Sequence, residues 1–365
     1  VKVLMIGRAT LFSHPGGDTV QLSKTAEYLN DTKEVEVDVA TVEDDVNFTS
    51  FDLIHLFNIC RPADLLGVIK KAKKKYVVST IFVDYSEAEK NHFIASRRFL
   101  SKILSFNQLE YLKSLARIVK GQDKLTHISY VFKGHKTSIQ KIIKNAEILL
   151  PNSKSEYDRL FEAYGVEQDF KVIPNAIDLN IFSSQKSTSH KFDKFDNAVI
   201  TVGQITPVKN QLNIIKALKG TKFNVFIIGS PSFNAIDYFE KCKEEASSNI
   251  KFISHLKQDE LAEVYKRAKT HVLASWFETT GLVSLEAAYS GCNIVISNRG
   301  DQPEYFQNNA FYCNPSNVRS IRDAVEKAYK SKFNENFKLE IEEKYNWNQT
   351  AKLTLSAYKR ALKHG

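Results

Sequence analysis

The feature that most constrains this chain is a short apolar run followed by a helical stretch, repeated many times in two arrays. In the first array, residues 1–6, 35–39, 52–56, 76–82 and 146–150 read as strands, 35–39 by alternation and 146–150 as a buried one. In the second, residues 198–202, 223–228, 250–253, 271–274 and 293–296 do so. Each run is of strand length, and the stretches between carry apolar residues at helical spacing, such as Leu212, Ile215 and Leu218. Strands alternating with helices pair in parallel through crossovers. The arrays therefore predict an α/β protein with two doubly wound, parallel-sheet domains facing each other across a cleft. A chain of 365 residues also exceeds what one core usually organises. Between the arrays, residues 182–196 are rich in Ser, Lys and Asp and lose periodicity, which places the linker there. The expected domains are 1–182 and 183–346. A last helix over about 347–365, with Leu353, Leu355, Tyr358 and Leu362, is expected to pack back at the junction.

Ligands of open parallel sheets lie beyond the carboxyl ends of the strands. The stretch from Ser275 to Gly291 begins at such an end, turns at Gly281 and becomes helical. Glu278 lies in the turn. Glu286 lies about one helical turn beyond Leu282, and its side chain leans back toward the helix start. The N–H groups of that start favour an anion. Two carboxylates around a phosphate-friendly helix start suit a ligand with hydroxyls on both sides of a phosphate, as in a sugar nucleotide. On spacing alone the plainer reading weighs more: Glu286 as an exposed helix residue and Glu278 as a dipole-favoured surface charge.

Two further features sit at strand ends. Gly16 and Gly17 follow the first strand, and paired glycines let backbone N–H groups approach a phosphate. A plain turn capped by Asp18 or Thr19 fits them equally well. The loop is neither GxGxxG nor a Walker A sequence, which disfavours a dinucleotide oxidoreductase. Asp84 follows the strand read over 76–82; it either positions an acceptor hydroxyl or caps the next turn.

The net charge of +9 has one source. Residues 90–145 hold twelve Lys and Arg against Glu110 and Asp123, a local charge of +10. Within them, Phe99, Ile103, Phe106, Leu109, Leu112, Leu115 and Val119 recur every three or four residues and predict one amphipathic basic helix over 97–119. Three readings stay open: an ordinary surface helix, a helix lying on an anionic membrane surface, and a site for an acidic acceptor. Nucleic acid is disfavoured, since no aromatic-interleaved basic motif or recognition helix is present. No apolar run reaches bilayer-spanning length, and the first residues read as a strand rather than a signal segment. Cys60, Cys242, Cys292 and Cys313 form neither a CxxC pair nor a metal-ligand spacing, so buried thiols in a reducing cytoplasm are expected.

Four markers in order resemble the retaining glycosyltransferases of family 4, which have the GT-B fold. They are Gly16-Gly17, the run from Val172 to Asp178, Val202-Gly203-Gln204 with Lys209-Asn210, and Glu278 to Glu286 in an E-x7-E arrangement. Gly300-Asp301-Gln302-Pro303-Glu304 resembles the family's usual continuation. The resemblance covers essentially the whole chain. It implies that Glu278 contacts hydroxyls of the donor sugar and that Glu286 holds the ribose hydroxyls. It implies that N–H groups at Thr280, Gly281 and Leu282 meet the donor, that Lys209 neutralises the diphosphate, and that Gly16 and Gly17 let the first domain close over it. Asp84 occupies a position that in relatives often lines the acceptor or sugar site. The implied reaction moves a sugar from a nucleotide diphosphate donor, UDP ahead of GDP, to a saccharide, lipid-linked or other surface-glycan acceptor. No metal and no cofactor beyond the donor is implied, and the implied location is the cytoplasm, peripheral to the inner membrane face if the basic segment docks there. Gln204 departs from the family's common Arg, which raises the alternative of a catalytically degenerate scaffold subunit of a glycan-assembly complex. Thr279-Thr280 and Ala176 are smaller departures.

Overall fold

The computed structural model describes residues 1–91, 94–121, 123–183 and 190–363. The chain divides into two compact units, one of Val1–Val83, Leu100–Ala176 and Trp347–Gly365, the other of Asp84–Phe99 and Ile177–Asn346.

The first unit is built on five parallel strands: β1 (Lys2–Gly7), β2 (Glu36–Thr41), β3 (Leu53–Phe57), β4 (Tyr76–Ser79) and β5 (Ile148–Leu150), in the order β2-β1-β3-β4-β5. Successive residues of these strands feed opposite cores. Leu4, Ile6, Ile54, Leu56 and Val78 enter one, and Val3, Met5, Leu53, Phe57 and Val77 enter the other. Helices cover both faces, which is why the central strands read as largely apolar runs, whereas the edge strand β2 alternates. The C-terminal helix Trp347–Lys363 packs on the helix Gly17–Asp31 and contributes Ala357, Tyr358 and Ala361 to the second core. His55 lies between Tyr358 and Ser79, its Nδ1 2.7 Å from the Tyr358 hydroxyl and its Nε2 2.9 Å from Ser79 Oγ. Burial holds His55 neutral by lowering its pKa to about 3.

The second unit has six parallel strands: β6 (Val199–Val202), β7 (Val225–Ile228), β8 (Ile250–Ile253), β9 (Thr270–Leu273), β10 (Asn293–Ser297) and β11 (Ala310–Cys313). Their order is β11-β10-β9-β6-β7-β8. The direction of winding reverses between β6 and β9, so the loops leaving those two strands diverge and open a crevice at their carboxyl ends.

Several local expectations are corrected. The division falls between Ala176 and Ile177 rather than after 182, and Asp84–Phe99 clusters with the second unit; residues 184–189 of the expected linker lie outside the described residues. Strand β4 stops at Ser79, five residues before Asp84. The amphipathic stretch over 97–119 is two helices, Ala95–Ile103 and Phe106–Val119. Ser105 is extended and forms a reciprocal cap: the Ser105 N–H donates to Gln108 Oε1 at 2.9 Å, and Gln108 N–H to Ser105 Oγ at 3.4 Å. That cap offsets the loss of a continuous helical ladder at this point.

Candidate functional site

The loop after β6 is pinned to the end of β9. Asn210 has a positive φ of 59° and donates from Nδ2 to the Ala274 carbonyl at 2.9 Å and the Pro315 carbonyl at 2.8 Å. One residue earlier, the 3-10 turn Pro207–Lys209 accepts the Trp276 N–H at the Val208 carbonyl, 2.9 Å away. These bonds carry Lys209 across the strand reversal to Glu278, where its Nζ lies 2.5 Å from Oε1. The Glu278 side chain is only 10% exposed and that of Lys209 27%, so water screens the pair incompletely. The cation also helps keep His271 neutral: burial first, and Lys209 second, lower its pKa to about 3.

Beyond Glu278 the chain turns at Gly281 into the helix Leu282–Tyr289. Gly281 has φ 73° and ψ 58°, a left-handed conformation that disfavours a side chain. Thr280 is buried and its hydroxyl donates to Tyr305 at 3.3 Å, which leaves the backbone of this turn, not the Thr280 side chain, as the surface offered to a ligand. Glu286 lies on the helix with the Tyr265 hydroxyl 3.4 Å from its Oε2. Desolvation raises its pKa to about 7, and the Tyr265 hydrogen bond opposes that rise. Part of Glu286 reaches solvent, so water tempers the shift. Gln204 is exposed, with its carbonyl accepting Gln211 Nε2 at 3.1 Å.

The other expected residues are placed differently. Asp84 accepts the Ser86 N–H at 2.8 Å, the capping arrangement. Its neighbour Tyr85 meets Phe277 edge to face, with ring centroids 6.0 Å apart, so the chain at Asp84 and Tyr85 is fastened beside the Glu278 loop within the second unit. Arg299 adds a two-pronged ion pair to Glu87, at 2.6 and 3.1 Å. Gly16 and Gly17 belong to the first unit. Gly16 is extended, the Gly16 N–H donates to Thr19 Oγ1 at 3.0 Å, and nothing lies within 4 Å of where a Gly17 side chain would start. That open flank is the room a phosphate would need.

Sequence reasoning passed over Arg8, which is buried and organises the whole glycine loop. It binds both oxygens of Asp18 at 2.6 and 3.1 Å and donates to the His14 carbonyl at 2.8 Å. It also passed over Tyr265, since a tyrosine on an amphipathic helix carries no sign that its hydroxyl faces a glutamate 21 residues on. Among the described residues, no three His, Cys, Asp or Glu side chains stand together as metal ligands. No described helix is long and apolar enough to cross a membrane.

Residues 183–352 match the family model of glycosyl transferases group 1. Solved structures cover the rest: a sucrose-phosphate synthase of Thermosynechococcus elongatus superposes on 100% of both chains with a TM-score of 0.76 at 13% identity. HepE of Anabaena, solved in complex with UDP-glucose, does so over 98% of this chain and 99% of its own, with a TM-score of 0.66 at 15% identity. The chain has the GT-B fold. Among curated relatives of this GT-B protein, an uncharacterized glycosyltransferase of Methanocaldococcus jannaschii is 26% identical over 58% of this chain and 59% of its own. A D-inositol 3-phosphate glycosyltransferase of Mycobacteroides abscessus is 24% identical over 61% and 54% respectively. The matched region thus spans less than two thirds of these relatives' lengths. Together the likenesses support a GT-B glycosyltransferase.

Proposed function

We propose that the chain is a retaining glycosyltransferase of the family 4 kind that moves a hexosyl unit from a UDP-sugar to a saccharide, lipid-linked or other surface-glycan acceptor. The observation that carries this reading is the Lys209–Glu278 pair at the strand reversal, 2.5 Å apart beside a glycine-capped helix start. Cleavage of the anomeric C–O bond leaves negative charge on the departing diphosphate. Lys209 and the N–H groups at Thr280, Gly281 and Leu282 would stabilise that charge, a preorganised electrostatic contribution. Lys209 would exchange Glu278 for the diphosphate, and the released carboxylate would accept hydroxyls of the sugar. Glu286, ionised, would accept the two ribose hydroxyls. The phosphate-side cation in this reading is Lys209, without a metal ion, and the departing phosphate takes the acceptor proton.

The helix Ala95–Ile103 supports a membrane-bound acceptor: Phe99 and Ile103 are 64% and 62% exposed on one face, with Lys102 exposed beside them. The UDP preference is supported by HepE, whose structure contains UDP-glucose. A panel of nucleotide sugars incubated without acceptor tests the reading; slow release of UDP from one of them is expected. Gln204, exposed and uncharged, favours the second reading of a degenerate scaffold. Calorimetric titration with UDP and GDP separates the two, because failure to bind either nucleotide would leave the scaffold alone standing.

A further inference from the structure

Gln302 opens the short helix Gln302–Phe306, and its side chain is wholly buried. Neither its Oε1 nor its Nε2 has a hydrogen-bond partner among the described residues. Leaving both ends of a buried amide unpaired is costly, because each has given up water and gained nothing.

The position of this amide is specific. Residues 300–302 form the floor of the loop that runs from Glu278 to Leu282. The Asp301 N–H donates to the Glu278 carbonyl at 2.8 Å. Gly300, at φ +70°, sits so close beneath that a side chain there would start 2.8 Å from the Glu278 nitrogen and collide with its carbonyl. A side chain on Gly281 would collide with the Gln302 amide nitrogen. Tyr305, on the same short helix as Gln302, receives the Thr280 hydroxyl. The amide therefore faces the turn whose backbone is offered to the donor, and Gly281 is the residue in that turn most able to change its dihedral angles.

We propose that Gln302 is a positioning residue for donor binding: its amide pairs with the backbone of the Thr279–Leu282 turn when a sugar nucleotide occupies the site, and stands unpaired when the site is empty. This rests on the donor-binding reading above and adds to it a residue that never touches the donor. A group that is unsatisfied in the empty state and satisfied in the loaded one has different free energies in the two, and that difference strengthens binding. An apolar residue of similar length removes the penalty from the empty state and the gain from the loaded one. The two effects have opposite signs, which a merely structural role cannot produce.

The test compares the full chain with Gln302→Met, by thermal melting without ligand and by calorimetric titration with UDP-glucose and, in parallel, GDP-mannose. The expected result is a variant that melts at or above the wild-type temperature when empty, yet binds the nucleotide sugar about tenfold more weakly. A variant that binds as tightly as wild type overturns the role of Gln302 while the donor site stands. One that melts lower when empty shows that the amide serves packing, and also overturns it. A wild-type chain that binds neither nucleotide sugar removes the donor site, and the proposal with it.

Discussion

Lys209 and Glu278, 69 residues apart in the chain, form an ion pair of 2.5 Å across the point where the second sheet reverses its winding. Each group is thereby neutralised where the donor is expected. In the proposed reading a diphosphate would offer Lys209 a better partner, and its arrival would free Glu278 for hydroxyls. The pair would thus hold both groups in place until that exchange.

Replacing either partner separates these roles. Lys209→Ala and Glu278→Ala are each expected to lower kcat about a hundredfold or more, measured as sugar transfer or donor hydrolysis. Lys209→Ala should also lower stability by about 1–3 kcal/mol, a discounted figure for an incompletely buried carboxylate left unpaired. The double variant should recover part of that loss, since the orphaned charge is gone. Near-normal turnover in both single variants would refute the assignment.

If Glu286 accepts the ribose as proposed, donor binding should depend on pH. Its carboxyl is raised to about 7, so at pH 6 it is largely protonated. Accepting two ribose hydroxyls requires the ionised form, and each pH unit below 7 costs about 1.4 kcal/mol for deprotonation. UDP-glucose binding should therefore tighten by up to about tenfold between pH 6 and pH 8, and the Glu286→Gln variant should bind weakly with a flat profile. A wild-type dissociation constant that does not move with pH would exclude Glu286 as the ribose acceptor.

One of the polar contacts of the C-terminal helix, Tyr358 with His55, lies within the apolar core. Tyr358→Phe keeps the ring but leaves His55 Nδ1 without its partner at 2.7 Å. A loss of about 1–3 kcal/mol is expected for the buried nitrogen, read by chemical denaturation. Tyr358 is wholly buried and belongs to the first unit, so nucleotide affinity should not change. A variant as stable as wild type would show that the nitrogen is satisfied in another way.

The helix Ala95–Ile103 gives a salt-dependent prediction. Co-sedimentation with vesicles containing anionic lipid should exceed that with neutral vesicles at low salt and fall as salt rises. Phe99→Ser with Ile103→Ser should weaken it further, since these exposed apolar groups would enter the interface. Equal binding to neutral and anionic vesicles would sink the membrane reading.

What the sequence determined by itself was the order of elements and the residues at their ends. Runs such as 198–202 and 271–274 are apolar but for Thr201 and His271 because both faces of a parallel sheet are covered, and that property is local and readable. Gly281 marks a turn through its own backbone freedom, and Lys209 and Glu278 were legible because they follow such runs. Where an element stops was less so: β4 ends at Ser79, and Ser105 interrupts an apolar period that runs on through it. Tertiary structure alone decided the pairings. That Glu278 faces Lys209, that Tyr265 faces Glu286, and that Gln302 lies unpaired beneath Gly281 depend on strand order, which brings β9 beside β6 and not beside β8. Local periodicity carries no record of that order, because it is set by which faces can be buried together once the whole sheet has formed.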